Sequence, residues 1–321
     1  MTKLTLAGVA LLMCGALVAA ACSPLRAFDT VMPKDGTSRL VAADVPYGEG
    51  PRRQLDVYTP VAAGQRPLPV IVFIYGGSWA NGTREGYHFA ARALSAAGFV
   101  TVVPDYRLVP EVRFPGFVQD CAAAVRWVRT HAGRYGGDPD RIVLVGHSAG
   151  AYNAAMLALD PQFLGADRAA IRGFAGLAGP YDFLPFNGKV VTDTFGAWPK
   201  PEETQPIHYA DASAPPVLLL HGGEDGTVWP KNSINLDARL RAAGVPSELK
   251  VYRDLGHVGI VTALARPFRG GARAGRHHRL RAARDGELRS RHPSCRRRPA
   301  SQAAPAPTSS SHLPRRRPPT A

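Results

Sequence analysis

The pattern of hydrophobic and polar positions divides the middle of the chain into alternating strands and helices. Short apolar runs, typical of strands that are buried on both faces, lie at 69–75, 99–103, 142–145, 171–178 and 216–221. Further strands are predicted at 55–58 and 248–252, and helical patterns at 84–97, 116–132, 151–159 and 231–243. Because strands that alternate with helices form parallel sheets, we predict an α/β fold with a mostly parallel central sheet and helices on both faces.

One strand-to-helix junction carries a Gly-x-Ser-x-Gly motif, formed by Gly146, Ser148 and Gly150. A strand, a sharp turn and a helix in this order are the context of a nucleophile elbow, whose strained turn lifts the serine hydroxyl above the sheet. The residues two before and two after the serine crowd each other there, which favours glycine at both places. We therefore predict Ser148 as a nucleophile. The alternative is a glycine-rich turn whose serine only caps the helix.

Two further loops at predicted strand ends carry an acid and a base, Asp225 and His257. Because the carboxyl ends of parallel strands meet at one edge of a sheet, Ser148, Asp225 and His257 are predicted to meet there. A histidine titrates near neutral pH and can take the serine proton, and a carboxylate can orient its ring. Glu224 and Asp182 remain alternatives for the acid.

A serine hydrolase also needs hydrogen-bond donors for the oxyanion that forms on its substrate. The loop Gly76-Gly77-Ser78 follows the strand at 69–75, and missing side chains let its backbone approach a substrate. The N–H groups of this loop, together with that of Ala149 after the nucleophile, are the predicted oxyanion donors.

Other reactive side chains are interpreted as structural. We expect the ring of His147 to pack beside its strand, His221 to anchor its loop, and Cys121 to be a core thiol. The four cysteines do not form a spaced set, so the sequence predicts neither a disulfide framework nor a zinc site.

Six short motifs are spread over the predicted strands and their loops. They are Tyr75-Gly76-Gly77-Ser78-Trp79, Pro104-Asp105-Tyr106-Arg107-Leu108, Gly137-Asp138-Pro139-Asp140-Arg141, Gly146-His147-Ser148-Ala149-Gly150, Ala178-Gly179-Pro180-Tyr181-Asp182 and Gly256-His257. As a set they resemble the esterase/lipase branch of the α/β-hydrolase superfamily, and within it the small carboxylesterases and arylformamidase-like members. The resemblance covers roughly residues 45–268, which we take as the catalytic domain. One departure is that the family's oxyanion loop usually begins with histidine, whereas this chain has Tyr75.

The resemblance implies the α/β-hydrolase fold and a serine hydrolase that cleaves small carboxylic esters through an acyl-enzyme intermediate. It implies a small-molecule ester as substrate and neither metal nor cofactor. An arylformamidase or a peptidase of the same fold is an alternative, and a non-catalytic binding module of this fold is the alternative from another class. Acyl-chain length, physiological substrate and oligomeric state stay open.

The N-terminal residues 1–22 are typical of a secretory signal peptide. Lys3 precedes a nearly unbroken apolar run over residues 4–21, which ends in three alanines. Cys22 follows these alanines and is a candidate for lipidation, so we expect an exported protein that is periplasmic or anchored to the membrane of a bacterial envelope. Residues 23–44 lack periodicity and are predicted to form a linker or arm before the catalytic domain.

The net charge of +14 belongs almost entirely to the C-terminal end. Residues 266–321 hold fifteen arginines, no lysine and two acids, while the rest of the chain holds 24 basic and 23 acidic residues. Almost no apolar periodicity occurs over 269–321, so we predict a disordered basic tail.

Arginine without lysine, among many Ala, Pro and Gly residues, is what a GC-rich gene yields when read out of frame. We hypothesise that a frameshift replaced the terminal helix of the fold, and an intact reading frame on resequencing would refute this.

The alternative for the tail is a basic arm that binds nucleic acid or an anionic membrane. Residues 269–321 contain no Phe, Trp or Tyr for stacking on bases, so we expect no nucleic-acid partner. Deletion of these residues should leave the affinity for a duplex oligonucleotide at physiological salt unchanged in a fluorescence-anisotropy titration. Loss of tight binding on deletion would instead assign the tail to nucleic acid.

Overall fold

The computed structural model describes residues 24–62 and 64–269, which contain one eight-stranded sheet. Its strands are β1 (Ser38–Pro46), β2 (Gln54–Pro60), β3 (Leu68–Ile74), β4 (Val100–Pro104), β5 (Gly137–His147), β6 (Ile171–Leu177), β7 (Val217–Gly222) and β8 (Ser247–Tyr252). They are hydrogen-bonded in the order β1-β2-β4-β3-β5-β6-β7-β8. Strand β2 is antiparallel to both of its neighbours, and all other neighbouring pairs are parallel. The predicted mostly parallel sheet is confirmed.

Helices connect the strands and pack against the sheet. They are α1 (Pro24–Val31), α2 (His88–Ala96), α3 (Gly116–His131), α4 (Ala149–Leu159), α5 (Pro161–Leu164), α6 (Lys189–Phe195), α7 (Lys231–Ala242) and α8 (Gly259–Thr262). All eleven residues of α4 are buried, which explains why its sequence is apolar on every side. Within the described ranges, no helix combines the length and the hydropathy needed to cross a bilayer.

Strands β3 and β5 lie side by side in the middle of the sheet and set the positions of two loops. Their parallel register runs from Leu68 opposite Gly137 to Ile74 opposite Gly146. The chain leaves both strands at the same edge of the sheet. The loop after β3 and the turn after β5 therefore start next to each other at the carboxyl ends of the strands.

The N-terminal arm differs from the sequence prediction. A linker or arm without regular elements is predicted over 23–44, whereas the structure has helix α1 and most of strand β1 there. The Phe28 ring packs against Phe89 and Phe268, with ring centroids 5.1 and 6.1 Å apart. Asp29 Oδ1 accepts the amide N–H of Phe89 at 2.6 Å, which satisfies a donor at the start of α2. Backbone pairing of β1 with β2 and contacts of single side chains hold this segment, and such side-chain contacts leave no periodic pattern in a sequence.

Two predicted segments lie outside the described residues. These are the signal peptide at 1–22, which includes Cys22, and all of the basic tail beyond Arg269. The described part ends with Arg269 paired to the carboxylate of Asp35 in the N-terminal arm.

A buried arginine joins three carboxylates near the start of α2. Arg84 is only 5% exposed, and its guanidinium pairs with Asp44, Asp56 and Asp105. Its Nε atom is 3.0 Å from Oδ1 of Asp56. Burial alone would raise the pKa of Asp56, but the nearby His88 and hydrogen bonds from the backbone and Arg84 hold it below its usual value. The cluster therefore ties this turn to β2 and to the end of β4 through paired charges.

Removing the cation from this cluster should cost far more stability than breaking a surface ion pair. Arg84→Met leaves Asp56 and Asp105 buried without their partner, so we expect the free energy of unfolding to fall by about 3–5 kcal/mol. The control, Lys189→Met, breaks the exposed pair with Asp193 (2.6 Å) and should cost less than about 1 kcal/mol. Urea denaturation followed by circular dichroism measures both variants. Equal losses in the two would contradict a structural role for the cluster.

Candidate active site

Ser148 lies at the junction of β5 and α4, in the turn that the glycine motif predicts. Its φ and ψ are 55° and −125°, and residues with a side chain rarely adopt such a positive φ. A Cβ atom on Gly146 would lie 2.3 Å from the Gly150 carbonyl oxygen, and one on Gly150 would lie 2.0 Å from the Ile74 carbonyl oxygen. Because no side chain fits at these distances, both glycines are required by the close approach of main chains.

Three side chains from three loops form one hydrogen-bonded row. The Nε2 atom of His257 is 2.8 Å from Ser148 Oγ, and its Nδ1 atom is 2.7 Å from Asp225 Oδ2. A carboxylate oxygen only accepts, which assigns the ring proton to Nδ1 and leaves Nε2 able to accept the serine proton. Among the described residues, neither Glu224 nor Asp182 forms a hydrogen bond or an ion pair with His257, whereas Asp225 forms both. Of the three acids considered from the sequence, the structure brings Asp225 to the histidine.

The Asp225 carboxylate is buried among hydrogen-bond donors. Its Oδ1 accepts the N–H groups of Thr227 and Val228 at 2.9 and 2.8 Å. Its Oδ2 faces His257 and also lies 3.3 Å from Nε2 of His221, which donates to the Val228 carbonyl. Burial alone would raise the pKa of Asp225, but the nearby His221 and the hydrogen bonds from His257 and the loop backbone hold it well below its usual range. The carboxylate therefore stays ionised beside His257, and His221 anchors its loop as expected.

The loop after β3 follows a backbone path with three consecutive positive φ angles. Gly77, Ser78 and Trp79 have φ values of 140°, 54° and 56°. A Cβ atom on Gly77 would lie 2.1 Å from the Asn81 carbonyl oxygen, so glycine is required there. No group in the described part of the chain accepts the N–H of Gly77, Ser78 or Ala149. These three N–H groups remain the predicted oxyanion donors.

Gly76 differs from the other predicted oxyanion residues. Its N–H donates to the hydroxyl of Tyr87, 3.2 Å away, and is therefore engaged within the protein. A Cβ atom on Gly76 would lie 2.8 Å from both the His147 carbonyl oxygen and the Cβ atom of Ser148. We correct the prediction accordingly: Gly76 lets the loop lie against the elbow, and its N–H is not available to a substrate oxygen.

Tyr75 lies where the family that this chain resembles usually has histidine. Hydrogen bonds hold this residue at both its hydroxyl and its carbonyl. The hydroxyl donates to Asp105 Oδ1 at 2.7 Å and accepts from Arg52 at 2.8 Å. The carbonyl accepts the hydroxyl of Tyr106 at 2.9 Å. Burial raises the pKa of Tyr75 well above its usual value, so the hydroxyl stays neutral. The loop is thus anchored without a histidine, through Asp105 and Tyr106 of one of the six sequence motifs and through Arg52, which lies outside them.

Trp79 links the oxyanion loop to an aromatic cluster. Its Nε1 donates to Asn153 Oδ1 at 3.2 Å, and its ring packs against Tyr152 and Phe195, with centroids 5.3 and 4.9 Å away. Phe195 is the last residue of helix α6, which lies in the long segment between β6 and β7. The helix brings a buried aromatic ring against the tryptophan that follows the oxyanion loop.

The remaining reactive groups near the site are structural. Cys121 is fully buried on α3, and burial raises the pKa of its thiol well above the usual value, so the thiol stays protonated. The His, Cys, Asp and Glu side chains of the described ranges form no group of three or more that could hold a metal ion.

Comparison with known proteins places the chain in a family. The model of the BD-FAE family matches residues 55–240, which is more than half of the chain. Esterase LipC of Mycobacterium tuberculosis is 32% identical over 219 residues, which cover 61% of this chain and 54% of that protein. Esterase LipQ of the same organism is 34% identical over 238 residues, which cover 65% and 55%. The chain therefore spans about half the length of the curated relatives it matches.

Solved structures share the fold. Esterase B from Lactobacillus rhamnosis superposes with a TM-score of 0.67 at 22% identity, over 78% of this chain and 87% of that one. At this identity the likeness shows the fold alone, and it confirms the predicted α/β-hydrolase fold. The family model matches more than half of the chain, so the chain belongs to the BD-FAE family, in the esterase/lipase branch of the α/β-hydrolase superfamily.

Proposed function

We propose that this chain is a serine hydrolase that cleaves small carboxylic esters, with Ser148 as nucleophile, His257 as general base and Asp225 as the orienting acid. The observation that carries the proposal is the continuous row from Asp225 through His257 to Ser148, with hydrogen bonds of 2.7 and 2.8 Å. A serine hydroxyl is a weak nucleophile until a base takes its proton, and this row supplies the base. The relatives LipC and LipQ, both named esterases, support ester hydrolysis as the activity.

In the first half of the reaction, Ser148 Oγ attacks the ester carbonyl carbon while its proton passes to Nε2 of His257. The charge that develops on the carbonyl oxygen is stabilised by the N–H groups of Ala149 and of Gly77 or Ser78. The C–O bond to the alcohol then breaks, and His257 gives its proton to the leaving oxygen. The alcohol departs and Ser148 is left acylated.

In the second half, water replaces the alcohol. The water gives a proton to His257 while its oxygen attacks the acyl carbon, and the same N–H groups stabilise the oxyanion. The bond to Ser148 Oγ breaks, the proton returns to that oxygen, and the carboxylic acid leaves. The Asp225 carboxylate keeps Nδ1 protonated throughout and stabilises the imidazolium of both halves.

Three alternatives are separable by assay. An arylformamidase or a peptidase would use the same row on an amide bond, and a binding module would keep the fold without turnover. The contact between Ser148 and the unprotonated Nε2 of His257 favours an enzyme, because binding alone requires no such base. Formamide, aryl-ester and peptide substrates assayed side by side, with p-nitrophenyl esters of increasing chain length, separate the substrate classes.

Substitutions in the row should lower activity to different extents, according to the role of each residue in the proposed reaction. Ser148→Ala removes the nucleophile, so both fluorophosphonate labelling and p-nitrophenyl acetate hydrolysis should be lost. Asp225→Asn favours the wrong imidazole tautomer, so we expect kcat to fall by on the order of 10³–10⁴-fold. The control is Asp182→Asn, whose carboxylate is bonded to Asn235 at 2.6 Å and which should keep the wild-type kcat. Labelling that persists in Ser148→Ala would place the nucleophile elsewhere.

We also propose that the chain is exported and held at a bacterial envelope by a lipid on Cys22. The support is in the sequence, where Lys3 and the apolar residues 4–21 precede this cysteine. Full-length protein expressed in a bacterial host fed an alkyne-labelled fatty acid should take up the label, and Cys22→Ser should not. An unlabelled wild type, or equal labelling of both proteins, would contradict lipidation.

A further inference from the structure

A series of three hydrogen bonds runs through the core from the oxyanion loop to the loop of the base. The Gly76 N–H donates to the Tyr87 hydroxyl at 3.2 Å. That hydroxyl is 3.2 Å from Nδ1 of His147, whose Nε2 is 3.0 Å from the His257 carbonyl oxygen. Tyr87 and His147 are 3% and 2% exposed, so both polar ends depend on protein partners. A ring that only packs beside its strand, as the sequence suggests for His147, accounts for none of these bonds.

Each of these bonds has a single permitted direction. A backbone carbonyl only accepts, so Nε2 of His147 donates to His257. In the neutral ring Nδ1 then carries no proton and accepts, so the Tyr87 hydroxyl donates to it. The hydroxyl oxygen keeps its lone pairs for the Gly76 N–H. Donors and acceptors therefore match at every step, and the three bonds form one consistent network.

The network holds one protonation state at neutral pH. Burial, reinforced by the neighbouring His257, lowers the pKa of His147 to about 3. Burial also raises the pKa of the Tyr87 hydroxyl. Both side chains are therefore neutral where esters are assayed, and the network contributes fixed geometry to the site without adding charge.

We infer that Tyr87 and His147 are positioning residues that hold the oxyanion loop and the base loop at a fixed distance from the elbow. The inference rests on the function proposed for the row. His147 immediately precedes Ser148, so its ring fixes the two loops relative to the nucleophile. Gly76 immediately precedes Gly77, so its bond to Tyr87 orients the backbone that leads into a predicted oxyanion donor. A misplacement of about 1 Å in such groups can cost about 10²-fold in rate.

A role in packing alone makes a different prediction for the Tyr87 hydroxyl. The Tyr87 ring lies against Tyr75 and Phe89, with centroids 5.8 and 6.2 Å apart, and phenylalanine would preserve both contacts. In a packing role the hydroxyl could be removed without effect on turnover. In a positioning role its removal takes the acceptor of Gly76 and the donor of His147 away together.

The first variant is therefore Tyr87→Phe, assayed with p-nitrophenyl acetate. We expect kcat to fall about 10-fold or more and KM to stay within about twofold, because the lost bonds position groups that act in the transition state. The Tm should stay within about 8 °C of the wild type, as for the loss of two buried hydrogen bonds. The control is Tyr209→Phe, which removes a hydroxyl bonded to the Glu203 carbonyl at 2.9 Å and should keep the wild-type kcat.

A pair of His147 variants tests the bond to the base loop. His147→Gln retains an N–H donor near the position of Nε2, whereas His147→Leu retains bulk without a donor. We expect His147→Leu to lose about 10²-fold in kcat and His147→Gln to recover part of that loss. A wild-type kcat in Tyr87→Phe, or equal kcat in the two His147 variants, would overturn the inference. Activity that survives Ser148→Ala would instead refute the proposed function, so the two failures are distinct.

Discussion

The candidate site depends on one steric constraint, the approach of two main chains at the ends of β3 and β5. A Cβ atom on Gly150 would lie 2.0 Å from the Ile74 carbonyl oxygen, and one on Gly76 would lie 2.8 Å from the His147 carbonyl oxygen. The register of the two strands, with Ile74 opposite Gly146, brings these segments together. Any side chain at this contact would push the oxyanion loop away from Ser148, and the donors would move with it.

Around this contact, the polar groups are held by complete sets of partners. The Asp225 carboxylate has two backbone amides and two histidines, and Tyr75 is bonded to Asp105 and Arg52. Tyr87 and His147 are neutral, and the hydroxyl of the one and both ring nitrogens of the other have hydrogen-bond partners. In the proposed reaction, therefore, charge changes only on His257 and on the substrate. Groups that need no rearrangement while charge develops are what electrostatic stabilisation of a transition state requires.

Local patterns allowed much of this to be predicted from the sequence. Strands buried on both faces appear as apolar runs, and a nucleophile elbow needs glycine at fixed spacing, so the sheet and the turn around Ser148 leave clear signals. The meeting of Asp225 and His257 with that serine followed from parallel topology, because each follows a strand of the sheet. Tyr87 and Arg52 left no such signal. Each acts through one side chain on a partner distant in sequence, and nothing in spacing or periodicity reports such a contact.

The same reason explains two corrections. In the sequence, Gly76 is indistinguishable from Gly77 as a donor, because only the Tyr87 hydroxyl separates their roles. Residues 23–44 were predicted as a linker or arm without regular elements. The contacts of single side chains that help to order them, such as Phe28 against Phe89, leave no pattern in the sequence.

The most direct test of the proposed reaction is a crystal structure of the full chain after reaction with a small fluorophosphonate. The proposed reaction predicts phosphorus bonded to Ser148 Oγ, with the phosphoryl oxygen about 2.7–3.1 Å from the nitrogen of Ala149 and from that of Gly77 or Ser78. It also predicts that the Gly76 N–H still donates to the Tyr87 hydroxyl. An adduct on another residue, or a Gly76 N–H turned from Tyr87 to the phosphoryl oxygen, would contradict it.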